Sequence, residues 1–452
     1  IVVVGAGASG TAAAVTAAEA GAKVIVLEKG PAVGGAGKLA SGLFAVESSM
    51  QKAKYKNNPE LLSQLTKDQL YKQLMDYNHY LSSASITRRV IDESSSTVDW
   101  MNKHGAKLEL IDWNPQQGQN PYPIRWRIYH RYVDNAGAFK NMYDAFGKLG
   151  GKLLLQTRAY DLTQDKDGNV TAVIAEKADG GKLTIKTSAV ILASGGYGAD
   201  QSLLPPKMKS FLFYGVDGET GDGLKMGEAI GAATINMDLV KQYPQGVETR
   251  PHHGLAATAS STDTMKKSGA IYVNRDGKRF VDENAGLGVL TDKTIEQPGS
   301  IAYIVMDDAA WKQYVAKSLE DKLVPSAESL NEWTKIVNNG HPVMAVSKSL
   351  EDAAKQMGID PKGLEATVKH WNDMVKAGSD KDFSRHLTGG LAEGGTWRIV
   401  EQKVRYQTTL GGLKADGAMR ILKKDGSAIP GLYGAGCVVC LLYTSPSPRD
   451  TR

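Results

Sequence analysis

The chain opens on an unbroken apolar run, Ile1-Val2-Val3-Val4, and a second run, Val24-Ile25-Val26-Leu27, ends at Glu28. Between them, 11–20 is alanine-rich and free of proline. Short continuous apolar runs bounded by turn residues predict strands buried on both faces, and the stretch between predicts the helix that joins two parallel strands. Apolar residues then take helical spacing over about 60–105, through Leu61, Leu65, Leu70 and Leu74 and later Val90, Ile91, Val98, Trp100 and Met101. A further helix is predicted over 135–149. Strands are predicted over 152–156, 170–176 and 183–187, about Asp-Gly-Asn and Asp-Gly-Gly turns. Ala189-Val-Ile-Leu-Ala193 reads as one more buried strand, running into Ser194-Gly195-Gly196.

The pattern changes between 238 and 391. Short strands at 270–274 and 301–306 mix with helices at 309–317, 349–357 and 361–376, which predicts an α+β insertion. Gly431-Leu-Tyr-Gly-Ala-Gly436 then returns to the strand and glycine turn of the start. The expected fold class is α/β: a Rossmann-like domain in two pieces, 1–238 and 392–439, with an inserted α+β capping domain over 239–391. Residues 440–452 carry two prolines and no periodicity and are expected to be a non-native tail, with a natural disordered end as the other reading.

The turn after the first strand carries chemistry. Gly5, Gly7 and Gly10 form G-x-G-x-x-G between a predicted strand and a predicted helix, and Glu28 closes the next strand. Gly5 permits the tight turn, Gly7 lets a diphosphate approach the backbone, and Gly10 lets the helix pack on the strand. The helix N-terminus offers free N–H groups and a partial positive charge to phosphate, and a carboxylate at Glu28 suits ribose hydroxyls. The unit therefore predicts a bound dinucleotide.

Composition narrows the rest. The 452 residues suffice for two or three domains, and 42% apolar with 23% charged is ordinary for a globular protein. Glycine, at 49 residues, exceeds the usual ~7%, which suits many backbone contacts to a cofactor. A net charge of +5 without a long basic run gives no sign of nucleic acid as a partner. No segment approaches the ~18 consecutive apolar residues of a membrane span. Because the chain starts directly on a core strand, a preceding leader or domain is expected, and the compartment, cytoplasmic or exported, stays open. The two cysteines form Cys437-Val-Val-Cys440 without the following histidine of a c-type haem site, so a redox dithiol is only weakly signalled. The eight histidines show no ligand-like spacing, and no metal site is expected.

Taken together, the motifs resemble those of the fumarate reductase and succinate dehydrogenase flavoprotein family, especially its soluble, flavocytochrome-like members. The resemblance spans nearly all of 1–439. It rests on the dinucleotide fingerprint with Glu28 and Lys29, Gly34-Gly35, Lys38-Leu-Ala-Ser-Gly42, Val98-Asp-Trp-Met101, Thr157-Arg-Ala159, Ala193-Ser-Gly-Gly196, Thr220-Gly-Asp-Gly223, Gly269-Ala-Ile-Tyr-Val-Asn274, Lys278-Arg-Phe280 and Gly431 to Gly436. It implies an extended FAD. Ser9, the three glycines and the Ser194-Gly195-Gly196 and Gly436 turns would follow the pyrophosphate and flavin. Glu28 would meet the ribose, with Lys29 beside it, and Ala159 would pass the adenine by its backbone. Gly34, Gly35, Gly37, Ser41 and Gly42 would line the pyrophosphate and flavin, and Asp222 would add a further contact. Members that link FAD covalently use a histidine where this chain has Ala36, so non-covalent FAD is expected.

The resemblance implies hydride transfer to or from an activated C=C or C–C bond, and there the chain departs from its relatives. Leu287 stands where a proton-donating arginine is expected after Arg279-Phe-Val-Asp-Glu283. Tyr243 stands for a histidine, and Gln407-Thr408-Thr409-Leu410-Gly411-Gly412 stands for a His-His-Thr-Met-Gly-Gly clamp. A further substrate arginine would fall beyond Val439. Thr262 and Asp263 occupy positions of substrate contact. Fumarate, a small dianion, needs several cationic donors, so a larger, less charged enoate, enone or steroid-like ring is expected instead. Tyr243 is the candidate proton donor, with a packed aromatic as its plainer reading, and His252-His253 would lie in a surface loop. The expected partners are a small organic substrate and an external electron donor (a cytochrome, a flavin domain or a reductase), since no second G-x-G-x-x-G unit is present for NAD(P)H. The other reading is a non-catalytic or degenerate FAD-binding paralogue.

Overall fold

The computed structural model describes residues 1–440 except 65, 79, 81, 112–127 and 339. Most of the stretch read as a non-native tail, and the position of the expected further arginine, lie outside the described residues. The chain divides into two compact units. The first takes in 1–204, 215–240 and the return from 408, and the second takes in 205–214 and 241–407. The sequence pattern places the corresponding boundaries at 238/239 and 391/392. One strand, Trp397–Thr409, runs across 407/408.

In the first unit, β1 (Val2–Val4), α1 (Ala8–Glu19) and β2 (Ile25–Leu27) form the crossover that the opening runs predict. A six-stranded sheet is ordered Arg420–Leu422, Ala428–Gly434, Val190–Leu192, β1, β2, Lys152–Leu154. All its pairings are parallel except that of the edge strand Arg420–Leu422. Full burial of Val2, Val3 and Val4 explains the unbroken apolar run. Because β1 lies between β2 and Val190–Leu192, successive connections leave it in opposite directions. The crevice at the carboxyl ends of these strands is the topological switch point where doubly wound sheets bind ligands.

The predicted helical stretch over 60–105 is four separate helices, Pro59–Ser63, Lys67–Tyr77, Ala84–Asp92 and Ser94–Lys103. Asn58, with Pro59 at the first helical position, and Thr66, with its capping box, start two of them, and Asp134 caps Asn135–Lys148. A three-stranded meander includes Thr157–Gln164, a strand the alternation did not reveal.

The second unit is built on a seven-stranded sheet. Its central members are β3 (Val240–Arg250) and β4 (Trp397–Thr409). Against one face pack α2 (Thr258–Lys267) and the helix Asp308–Glu320. Against the other pack Leu350–Gln356 and Pro361–Lys376, with Trp371 fully buried. This is the α+β arrangement expected for the insertion.

Candidate active site

The first unit supplies a cradle made chiefly of backbone. Gly5 turns with φ 104°, and a Cβ there would stand 2.4 Å from the Ala193 carbonyl. A Cβ on Gly10 would stand 1.9 Å from the Gly5 carbonyl, so α1 abuts the turn only because residue 10 has no side chain. Gly7 differs: the nearest atom to a Cβ there is the Gly34 carbonyl at 4.0 Å, so the space above it is open. The N-terminus of α1 has no side-chain cap and no acidic residue in its first turn. An open glycine at an uncapped helix start fits a diphosphate.

Glu28 is fixed at the mouth of this turn. Its two oxygens accept from the Ala6 and Gly30 N–H groups, each at 2.7 Å. Each keeps a lone pair for a ribose hydroxyl. Gly34 and Gly35, with φ of 103° and 46°, fold back so that Gly34 bridges to Gly7. Gly37 and Gly42 are glycines for a packing reason. A Cβ at Gly37 would meet the Phe139 ring at 2.5 Å, and one at Gly42 the His130 carbonyl at 2.2 Å. Ser41 is half-buried just before the strand Gly42–Phe44.

Around the cradle runs a charged network. Lys29 Nζ donates to Thr220 Oγ1 and Asp222 Oδ2, both at 2.7 Å, and Arg158, beside the buried Ala159, donates to Asp222 Oδ1 at 2.7 Å. Burial pushes the Asp222 carboxyl up, but the Arg158 and Lys29 contacts outweigh it and hold the group below the usual carboxylate range. What Asp222 offers is thus the placement of two cations. The Gly223 N–H donates to Ser194 Oγ at 3.1 Å, Gly195 has φ 81°, and a Cβ on Gly436 would strike Ser9 Oγ at 2.2 Å. The glycine turns of 194–196 and 436 therefore meet the start of α1 at the carboxyl ends of the central strands.

Glu219 was not singled out by the sequence reading. Its side chain lies over Gly195 and Gly196, buried, with Oε2 lacking any partner among the described residues. Burial pushes its pKa up to about 7 against a modest opposing pull from Lys29. The only signal was its place directly before Thr220-Gly-Asp-Gly223. Cys437 and Cys440 are free thiols, and burial pushes Cys437 up to about 12.

The second unit supplies a wall of side chains. Tyr243, on β3, is buried with the Arg405 guanidinium 4.6 Å from its ring centroid. Thr262 Oγ1 donates to Gln245 Oε1 at 3.1 Å, which ties α2 to β3 two residues after Tyr243. Gln245 holds φ 64°, a strained conformation for a residue with a side chain. Asp263 turns away to Lys267 on its own helix, at 2.9 Å. Leu287 begins the helix Leu287–Ile295 and packs against the apolar core, so no charge is held there. Thr408 and Gln407 are half-buried at the end of β4. His252 is exposed at a turn, and His253 begins the strand His253–Ala256 and meets Phe213 edge-on at 5.7 Å, so only the first is a loop residue.

Arg405 was also missed. It sits on β4, where Glu401, Lys403 and Arg405 are all buried. Charges at every second position read in sequence as a solvated face, which hid the strand. No helix among the described residues is long and apolar enough to cross a membrane, and no group of three metal-ligating side chains was found among them.

Comparison with known proteins agrees with the cradle. The FAD binding domain family model matches residues 1–445. A fumarate reductase (cytochrome) of Shewanella frigidimarina is 31% identical over 446 residues, which cover 96% of this chain and 71% of the relative. A vinyl phenol reductase of Lactiplantibacillus plantarum is 29% identical, over 96% and 89% respectively, and a urocanate reductase of Eggerthella lenta is 26% identical, over 96% and 69%. In fold, an open flavocytochrome c3 fumarate reductase matches with a TM-score of 0.75 at 23% identity, covering 97% of this chain and 72% of the other. A 3-ketosteroid Δ1-dehydrogenase of Sterolibacterium denitrificans matches at 0.72 and 18%, covering 98% and 94%. The chain belongs to the FAD-binding domain family, among the fumarate reductase flavoproteins, and is an FAD-dependent oxidoreductase acting on CH–CH bonds.

Proposed function

We propose that this chain reduces an activated carbon–carbon double bond of an organic substrate other than fumarate, with FAD held non-covalently and recharged by an external electron donor. Bound FAD supplies a two-electron, hydride-transferring centre. Ser9, the open Gly7 and the Gly34-Gly35 return are placed to hold its diphosphate, Glu28 its ribose, and the 194–196 and 436 turns the remainder. Lys29 and Arg158, set by Asp222, add positive charge beside that path. The proton is assigned to Tyr243, whose phenol is buried on β3.

The observation that carries the reading against fumarate is Leu287, packed on apolar core where a cationic donor would be needed. Tyr243 and Thr408 likewise carry no positive charge. The relatives support the class of reaction: their names cover fumarate, vinyl phenol, urocanate and acrylate, all with a C=C bond. Ala36 favours non-covalent FAD, because it has no nucleophile to offer the flavin.

The test is reconstitution with FAD, acid precipitation to see whether the flavin is released, and anaerobic reduction followed by mixing with enoates, enones and fumarate. Release of the flavin and reoxidation by an enoate or enone, with fumarate inert, is the expected result. Rapid reoxidation by fumarate overturns the substrate reading, and flavin retained in the precipitate overturns the non-covalent one.

A further inference from the structure

Arg405 is a buried cation without a counter-charge. Its residue is 6% exposed, and it makes no ion pair with any described carboxylate. Its neighbours on β4 are compensated: Lys403 pairs with Glu248 and lies 3.5 Å from Glu401, and Glu401 lies 3.2 Å from His341. Arg405 has only a hydrogen bond from Nη2 to Thr258 Oγ1 at 3.1 Å, while Nε and Nη1 find no acceptor. A guanidinium buried in this way costs several kcal/mol unless something pairs with it.

Two aromatic rings lie beside it. The rings of Tyr214 and Tyr243 lie 5.0 and 4.6 Å from its central carbon. These contacts offset part of the burial cost. They leave Nε and Nη1, groups that recognise a carboxylate, without an acceptor. Gly246 makes room: a Cβ there would sit 3.0 Å from Arg405 Cβ.

A second unpaired donor lies nearby. Gln245 is fully buried, and its Nε2 has no acceptor. Gln245 is anchored to Thr262 and Arg405 to Thr258, positions one turn apart on the same face of α2. The helix itself starts at Thr258 without a side-chain cap. Two buried donors, neither paired with a carboxylate, and an uncapped helix start thus lie on adjoining elements.

We propose that Arg405, assisted by Gln245, anchors the single carboxylate of the substrate, which makes the substrate an α,β-unsaturated monocarboxylate. The inference rests on the reductase reading above and narrows it. One guanidinium neutralises one carboxylate, and the flanking tyrosines favour a flat, conjugated remainder. Neutral enones and dicarboxylates leave either the cation or a second anion uncompensated. Arg405 is here a specificity-determining residue, and it takes no part in moving electrons or protons.

The FAD-loaded chain tests this with matched acid and amide pairs, acrylate with acrylamide and cinnamate with cinnamamide, and with the saturated acid 3-phenylpropionate as a ligand that cannot be reduced. Thermal unfolding with and without 3-phenylpropionate reads binding alone, and anaerobic reoxidation of the reduced flavin reads turnover. The expected result is a rise in Tm with the acid and none with its amide, lost in Arg405→Met and partly restored in Arg405→Lys. Arg405→Met should by itself unfold no earlier than the parent, because it removes an uncompensated charge. KM for cinnamate should rise on the order of 100-fold in Arg405→Met, with that for cinnamamide nearly unchanged. An acid shift that persists in Arg405→Met, or equal losses for acid and amide, overturns the proposal. Should Arg405→Met fail to fold, the acid-against-amide contrast in Arg405→Lys decides alone. If no alkene reoxidises the flavin, the reductase reading fails, while the Tm shifts still decide whether Arg405 binds carboxylates.

Discussion

The cofactor cradle of the first unit and the polar wall of the second are built from different materials. The cradle is backbone: glycine turns, helix N–H groups and one carboxylate pinned by two amides. The wall is side chain: a phenol, a guanidinium, a buried amide and two threonines of one helix. Backbone geometry changes only when the fold changes, so the cradle serves any member that binds the same dinucleotide. Side chains can be exchanged one at a time on an unaltered scaffold. The differences at 243, 287 and 408 are exchanges of this kind, and in the proposed function they change substrate choice while the cradle stays the same.

The comparison is broken most forcefully at Gly10. Gly10→Ala drives a methyl group into the Gly5 carbonyl, and a loss of more than about 4 kcal/mol, seen as insoluble or flavin-free protein, is expected. Tyr243→Phe should leave fold and flavin content intact while single-turnover reduction of the alkene slows by roughly 100- to 10,000-fold. An unchanged rate would remove Tyr243 from the proton pathway. Gly7→Ala enters open space, so Tm of the flavin-free chain should hold while FAD affinity, followed by fluorescence, drops on the order of 100-fold. The pair at 7 and 10 separates a glycine needed by the ligand from one needed by the fold.

Glu219 gives a smaller, pH-dependent effect. Its folded pKa of about 7 lies above the ordinary 4.5. The stabilisation it confers is therefore complete below pH 4.5 and is lost as pH rises to about 7, a change on the order of 3 kcal/mol in the flavin-free chain. Lys29 opposes the shift, and Cys437, its other titratable neighbour, stays protonated throughout. Denaturant titrations should show that slope flattened in Glu219→Gln; a slope that survives the substitution would assign it elsewhere. Asp263→Asn should change least. Its partner is a lysine on its own helix, largely in solvent, so no more than about 0.5 kcal/mol is expected, with turnover preserved. A large loss of turnover would return Asp263 to the substrate wall.

The same contrast explains what was legible in the sequence. Strands buried on both faces, such as Val2–Val4, announce themselves by unbroken apolar runs, and Gly5, Gly7 and Gly10 mark a backbone shape that few other residues tolerate. Helix Pro361–Lys376 was read to the residue because Asp360 and Pro361 mark its start. The long strand Trp397–Thr409 escaped because Glu401, Gln402, Lys403 and Arg405 lie buried within it. Tertiary pairing with Glu248 and His341 makes the burial of Lys403 and Glu401 tolerable, and no local pattern records a partner so far along the chain. Glu219 and Arg405 are as hard to read locally for the opposite reason: their importance lies in what they fail to pair with.

The two sulfurs have a practical consequence. A thiol held near pKa 12, as Cys437 is, stays protonated at any pH a cell or a purification column reaches. Cys440 is buried and accepts a hydrogen bond from Asn236 Nδ2 at 3.3 Å. Neutral sulfur reacts slowly with peroxide, the by-product of reduced flavins exposed to air. The protein should therefore survive aerobic handling without added reductant, and iodoacetamide should label neither cysteine until the chain unfolds.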